Sequence, residues 1–396
     1  GEEHAFEAKN VTVKTDAPVK FSKTTIKADR KLDLKADSVF SGSDAGITLG
    51  EQTLKTNLAS KAYTSAMTDE DKKSALLDSA TGTISGEKLT LKDDSSLSVA
   101  NGSWTANNSV DISKGTSNGG KIEVGTAKHG AAILKFAAGS KLSATSGTIS
   151  IGMDSNGPIY AELDLSNLSK DDVTFSKAEI TVTKNGSLVL SEGAAQSLVS
   201  NLIATDGTKL DIKSGAMTTV KGAIELTPGQ ISGTSAVGKI SFTDNNSTLK
   251  ADSITIAEEI SGTTATALNV GSGTLEAGTL TLTSFNKATK KQNNFSLESG
   301  NFVVLNNLSS DDGAKLDLTF AKADTKVQLG KVIPVQTGSS IYKLDPEASA
   351  SGNTVGYNII MAEGSTLDVK SGEWRGQDLT INSGSATIGS GMTGED

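Results

Sequence analysis

Along most of this 396-residue chain, apolar and polar positions alternate for four to six residues and then stop at Gly, Asn, Asp or Ser. "KLTLK" (88–92), "EITVT" (179–183), "KISFT" (239–243) and "DLTIN" (378–382) are examples. A period of two sends successive side chains to opposite faces of a strand, and the small polar residues between runs supply turns. The pattern predicts many short β-strands. The stretches between them are too short and too β-branched for helical crossovers.

The runs recur as a phrase: a small polar residue, Leu, an aliphatic or small residue two positions on, and then Gly. "SSLSVANGSW" (95–104), "GSKLSATSG" (139–147), "GTKLDIKSG" (207–215) and "GSTLDVKSG" (364–372) show it. The central leucines Leu97, Leu142, Leu188, Leu210, Leu249, Leu275, Leu316 and Leu367 are 45, 46, 22, 39, 26, 41 and 51 residues apart, near one or two multiples of a unit in the low twenties. A drifting unit of about 20 to 25 residues marks a solenoid. The expected fold is therefore all-β, a right-handed parallel β-helix with two or three strands per coil, each coil's later strands providing the crossover that parallel pairing needs. Roughly 17 to 20 coils would stack into a rod on the order of 80 to 95 Å long. Leu210, Leu367 and Val369 should point inward, and the corner Ser, Thr and Asn should form stacked hydrogen-bonding ladders. Trp104 and Trp374 each fall seven residues after their anchor leucine, as Met217 does after Leu210, which predicts a shared structural role.

Four stretches depart from the pattern. "TSAMTDEDKKSALLDSATG" (64–82) has Thr68 and Asp69 at an N-cap, Asp71 three residues beyond Thr68, and a Gly after Leu76-Leu77, so it reads as a helical excursion. "EGAAQSLVSNLIATDG" (192–207) carries a weaker helical signature. The segments 153–173 and 336–357 concentrate Pro158, Tyr160, Tyr342, Pro346 and Tyr357 and read as protruding loops, where binding residues often sit. No linker interrupts the chain, so 1–396 is expected to be one domain containing the excursion.

Composition narrows the function. With no Cys, thiolate metal and catalytic sites and disulfide frameworks are excluded, and a bacterial surface or secreted protein fits that usage. With 41 Gly and only 4% aromatics, small residues and short aliphatics must carry the packing. The net charge is −9, and Arg30 and Arg375 are the only arginines, which suits neither nucleic acid nor clustered phosphates. No segment resembles a signal peptide, and no apolar run reaches the roughly 18 residues that span a bilayer. From its abrupt start at Gly1 and end at Asp396 the chain is expected to be a mature or excised fragment.

Candidate chemistry is thin. His4 and His129 are the only histidines, and neither accompanies a nucleophile-elbow segment. Asp93-Asp94, Asp171-Asp172 and Asp311-Asp312 could supply a glycosidase pair, but they fall where Asp favours turns, and sixteen aromatics leave few sugar platforms. Neither a nonapeptide calcium repeat nor an EF-hand loop occurs, and Lys72 and Lys73 would offset a cation at Asp69, Glu70 and Asp71. No catalytic, cofactor or metal site is expected, and the chain is read as a non-enzyme. Contact residues are sought instead among outward charges of the repeat (Asp211, Lys213, Asp368, Lys370), charges of the excursion (Asp69, Glu70, Lys72, Lys73) and Tyr342 of the second loop.

Imperfect Gly/Ser/Thr/Asn-rich repeats such as "GTKLDIKSG" and "GSTLDVKSG", acidic and free of Cys, resemble the passenger domain of a bacterial autotransporter, in its self-associating adhesin branch. The resemblance covers roughly 83 to 396. It implies export through an outer-membrane barrel outside this sequence, display at the bacterial surface or secretion, and adhesion to a copy on a neighbouring cell or to a host protein or glycan. Two-partner-secreted hemagglutinins share the repeat style. A carbohydrate-active β-helix (a lyase, a hydrolase or a phage spike) and a passive stalk are the alternatives.

Overall fold

The computed structural model describes residues 4–15, 17–50, 81–127, 130–153, 160–202, 209–213, 216–226, 231–232, 240–242, 246–259, 266–285, 293–310, 316–320, 325–329, 333–334, 351–352, 357–361, 366–369, 373–374, 378–381, 384–388 and 392–393. They belong to two compact units, Gly1–Lys221 and Gly222–Asp396. Among the described residues every pairing between strands is parallel, with an isolated antiparallel bridge between Lys92 and Gly119 outside them. Both units are parallel β-helices, as the alternation predicts.

In the first unit each coil contributes strands to three walls. The first wall stacks Gly46–Leu49, Ser96–Val99, Gly120–Val124, Gly147–Ile151, Ala178–Val182 and Lys209–Ile212. The second stacks Thr81–Gly86, Gly102–Ala106, Ala131–Phe136, Tyr160–Leu165, Gly186–Ser191 and Met217–Leu226. The third runs from Val19–Phe21 through Ser38–Ser41, Leu89–Lys92, Ser109–Ile112 and Lys141–Ala144 to Val173–Phe175. Register aligns like with like. On the first wall Ile26, Ile47, Leu97, Ile122, Ile149, Ile180 and Leu210 form one inward row, every member buried. Each such side chain is worth roughly 1.5 to 3 kcal/mol, and each touches the coils on both sides.

The coil is larger than the leucine spacing suggested. From Leu97 to Ile122, Ile149, Ile180 and Leu210 the chain takes 25, 27, 31 and 30 residues per turn. The error has a physical origin: the repeated leucines occupy different walls. Leu97 and Leu210 lie on the first wall, Leu188 on the second and Leu142 on the third. Distances between them mix whole coils with fractions of one. All three walls need the same strand pattern, so the phrase marks a wall and not a coil.

Corners and substitutions for strands explain the other departures. Glu192–Leu202 is an α-helix, as its sequence suggests, and it occupies the third-wall position beside Val173–Phe175. Ser191 caps it, its Oγ accepting from the Ala194 N–H at 2.9 Å. Ser197 then replaces the missing strand: its Oγ donates to Val173 O at 2.9 Å and accepts from Phe175 N at 3.4 Å. The segment 153–173 is not a protruding loop throughout. Tyr160–Leu165 is a buried strand and Val173 begins another, because Ala161, Leu163 and Leu165 continue the alternation that Pro158 and Tyr160 obscured. Of 336–357, Ser351–Gly352 and Tyr357 are described, and all three are strand; Tyr342 lies outside the described residues. The excursion 64–82 also lies outside them apart from Thr81 and Gly82, which open a strand. The chain leaves the first wall at Leu49 and joins the second at Thr81, a corner that takes only Ala100 and Asn101 in the next coil.

The second unit repeats the principle with strands that run through corners. Thr248–Glu259, Thr266–Phe285 and Asn293–Ser310 pair in sequence. Their inward row Leu249, Leu275, Phe302, Val327 and Leu367 is buried, with first steps of 26, 27 and 25 residues.

Trp104 shows how small residues make room for a large one. Its ring is fully buried on the second wall, its indole N–H donates to Asn101 O at 3.0 Å, and a Cβ at Gly82 would stand 2.5 Å from the ring. Trp104 has the structural role expected of it, but Met217 does not share it: Met217 aligns with outward Ser187 and is half-buried, and Thr218 takes the inward row instead. Trp104→Ala should cost about 3 to 5 kcal/mol by leaving a cavity between coils, and Gly82→Ala should destabilise by overpacking; urea midpoints followed by circular dichroism check both. Ser197→Ala should cost about 1 to 3 kcal/mol, because Val173 O and Phe175 N lose their partner. Hydrogen exchange at Phe175 should accelerate in that variant while the first-wall amides of Ile122 and Ile149 stay protected.

Candidate adhesive face

A strand on a solenoid wall buries every second side chain and presents the others outward, one coil apart, at about 4.8 Å. On the first wall of the first unit the outward positions make two in-register polar rows. One runs Ser96, Lys121, Thr148, Glu179, Lys209; the other runs Ser98, Glu123, Ser150, Thr181, Asp211. The face is open: Lys209 and Glu179 are exposed, and Lys121, Glu123, Thr148, Ser150, Thr181 and Asp211 are half-buried by their neighbours. Ser98 Oγ donates to Glu123 Oε2 at 2.8 Å, and Lys209 Nζ stands 3.4 Å from Glu179 Oε1. The exposed Lys209–Glu179 ion pair contributes about 0 to 1 kcal/mol, whereas Ser98 is itself buried at the start of its row.

The sequence-predicted contact residues fall unevenly. Asp211 lies on this face between buried Leu210 and Ile212, and Lys213 is half-buried just beyond, its N–H donating to Val182 O at 2.8 Å. In the second unit Asp368 is half-buried next to buried Leu367, in an outward row with Gln328 and Thr387. Lys370, Asp69, Glu70, Lys72, Lys73 and Tyr342 lie outside the described residues, as does His129. His4 is on an exposed strand.

Asp93 has a role that its dipeptide did not reveal. Both Asp93 and Asp94 hold positive φ, 49° and 68°, in the turn before the first-wall strand Ser96–Val99, as their turn preference predicts. Asp93 additionally ties three parts of the chain together. Its Oδ1 accepts from the Ser117 N–H at 2.8 Å, the Thr116 hydroxyl at 3.1 Å and the Ser117 hydroxyl at 3.3 Å, while Oδ2 accepts from Ser41 at 2.8 Å. The Ser117 N–H, followed by the Ser41 hydroxyl, holds its carboxyl down at about 2. Beside it, Asn118 and then Lys121 lower Asp94, whose Oδ1 is 3.0 Å from Lys121 Nζ. The clamp fixes the corner from which Lys121 rises into the polar face.

The outward side of the second wall is different. Tyr160, Glu162 and Asp164 point away from the core and are nevertheless buried, with the Tyr160 hydroxyl donating to Glu162 Oε2 and the Ser166 N–H to Asp164 Oδ1 at 2.9 Å. Ala131, Ile133 and Tyr160 form a small apolar cluster there. The sequence signal was available in "YAELDL", where apolar Ala161, Leu163 and Leu165 alternate with the outward residues. Among the described residues, no group of three His, Cys, Asp or Glu side chains is placed to hold a metal ion.

The Asp93 clamp makes stability depend on pH in acid. A carboxyl whose folded value lies near 2, below its ordinary 3.8, stabilises the fold fully above the higher value and loses that contribution as pH falls through the lower one. Asp93→Asn should therefore lower the thermal midpoint by a constant amount above about pH 5. The gap to the parent protein should close between about pH 4 and pH 2, and thermal melts across that range check it.

Comparison of the chain with family models, with curated proteins and with solved structures gave no match.

Proposed function

We propose that this chain is an adhesin of the bacterial surface, an autotransporter-type passenger displayed at or released from the outer membrane, that joins cells through the polar first wall. The observation that carries the reading is the pair of in-register rows ending in Glu179, Lys209, Thr181 and Asp211, an open sheet face whose outward groups include both charge signs and many hydroxyls. No deep pocket is needed. Each hydroxyl or ion pair offered to a partner is weak, but coils repeat the offer at regular spacing and many copies repeat it on a cell, which yields avidity. The partner is a second copy on a neighbouring cell or a host surface protein or glycan of matching polarity.

The test displays the chain on non-aggregating bacteria and follows settling of the culture. Display should speed settling several-fold, and raised salt should slow it again where ion pairs between faces contribute. The double variant Glu179→Lys and Asp211→Lys, which leaves the inward rows untouched, should abolish most of the gain by making the face strongly basic, with Glu123 the one acid left in its two rows. Settling that survives both that variant and high salt would place adhesion elsewhere. Release of reducing sugar from bacterial or host polysaccharide, lost in a single Asp→Ala variant, would favour a carbohydrate-active protein instead.

A further inference from the structure

The repeated phrase has an internal order that packing does not explain. In "KIEV" (121–124) and "KLDI" (209–212) the first outward residue of a first-wall strand is a lysine and the second a carboxylate, with a buried aliphatic between them. The second unit, taken by itself, repeats the order in "TLEA" (274–277) and "TLDV" (366–369), where Thr274 and Thr366 share one row and Glu276 and Asp368 the next. Donors and carboxylates are sorted into separate columns. The core does not demand this, because both positions point away from it and either could carry either charge. Lys121 and Lys209 each have a partner within the chain, Asp94 Oδ1 at 3.0 Å and Glu179 Oε1 at 3.4 Å. An ammonium group has three donors, so each can bridge to a second molecule as well.

Such sorting makes the face complementary to itself in one orientation. Lay a second copy over the first wall with its coils stacked in the same direction, related by a two-fold axis along the stack, midway between the two rows. Every first-row residue then faces the second-row residue of the same coil. Lys121 meets the partner's Glu123 and Lys209 the partner's Asp211, each twice by symmetry. Thr148 meets the partner's Ser150, and Glu179, the one acid in the first row, meets the hydroxyl of the partner's Thr181. No like charges are opposed. Turning the second copy end over end sets each row against itself instead. The best register of that kind, centred on Thr148 and Ser150, forms a single type of ion pair, Lys121 with the partner's Glu179, and leaves Asp211 opposite the partner's buried Ser98.

We propose that two copies of this chain pair side by side through the first wall of the first unit, coil against like coil and in the same direction. The contact is isologous and closes at two copies. Six strands about 4.8 Å apart and four to five residues long offer roughly 400 Å², about half of the ~800 Å² that each partner gives a standard interface. The dimer is therefore weak and concentration-dependent. Chains displayed from one cell surface run in the same direction, so the pairs form between neighbours on one cell, where crowding raises the effective concentration. The proposal rests on the adhesion reading only in taking this face to be open, and pairing withdraws the face from contacts between cells.

The experiment measures mass by light scattering over a concentration series of the purified 396-residue chain, a 40.5 kDa protomer. The mass should rise towards twice that value at low salt. Lys121→Glu combined with Lys209→Glu opposes acids across the axis and should weaken association about tenfold or more, with an unchanged circular dichroism spectrum. Adding Glu123→Lys and Asp211→Lys to that variant exchanges the two charges within each coil. The exchange should restore the dimer, because Glu at 121 again faces Lys at 123 of the partner, whereas in the end-over-end arrangement Glu at 121 would oppose Glu179. A protomer mass at every concentration, a dimer indifferent to the first pair of substitutions, or a folded exchange variant that stays at the protomer mass would overturn the proposal. Settling of displaying cells is read separately. A dimer without faster settling leaves pairing standing and removes adhesion, and faster settling by a chain that never exceeds the protomer mass does the reverse.

Discussion

Everything in this protein depends on parallel strands stacking coil upon coil in strict register. A parallel ladder has no hairpin to set its alignment; alignment comes from inward side chains that must meet their like one coil away. Ile122 over Leu97, Ile149 over Ile122 and Ile180 over Ile149 are the same contact repeated. A slip of one residue on any of these strands would turn its apolar set to solvent. The cost of a slip grows with each buried neighbour, which is why the face opposite the core can vary freely in polarity without disturbing the fold.

That freedom separates scaffold from function on each strand. The inward half of a strand is committed to packing, while the outward half carries whatever partner chemistry exists. Outward halves are not equivalent, however. The first wall presents hydroxyls and charges to solvent, whereas the second buries Tyr160, Glu162 and Asp164. Corners add a further layer, since a clamp such as Asp93 decides the position from which a strand starts and therefore where its outward residues stand. Where a coil cannot supply a strand, a helix can stand in, provided one side chain meets the ladder's hydrogen bonds. Ser197 does this for Val173 and Phe175.

The same stacking makes an end coil unlike an interior one. Phe6 is chemically ordinary for its row and stands exposed because, among the described residues, it is stacked on one side only. Repeat proteins generally handle such ends with atypical polar units, because nearest-neighbour contacts supply most of each repeat's stability. His4–Val13 carries the same apolar alternation as the strand it pairs with.

Strand character, parallel solenoid class, the helix at Glu192–Leu202, the turn role of Asp93-Asp94 and the inward direction of Leu210 and Leu367 were legible in the sequence, because each follows from local periodicity or local turn and capping chemistry. Coil length was not, since three walls demand one pattern and the leucine phrase cannot say which wall it occupies. Nor could the sequence show that Ser41, Thr116 and Ser117 converge on Asp93, or that Glu123, Thr181 and Asp211 share a row. These are relations between residues 23 to 88 positions apart. Alternation along the chain determined which side chains point in; only the closure of each coil decided which ones stand beside each other.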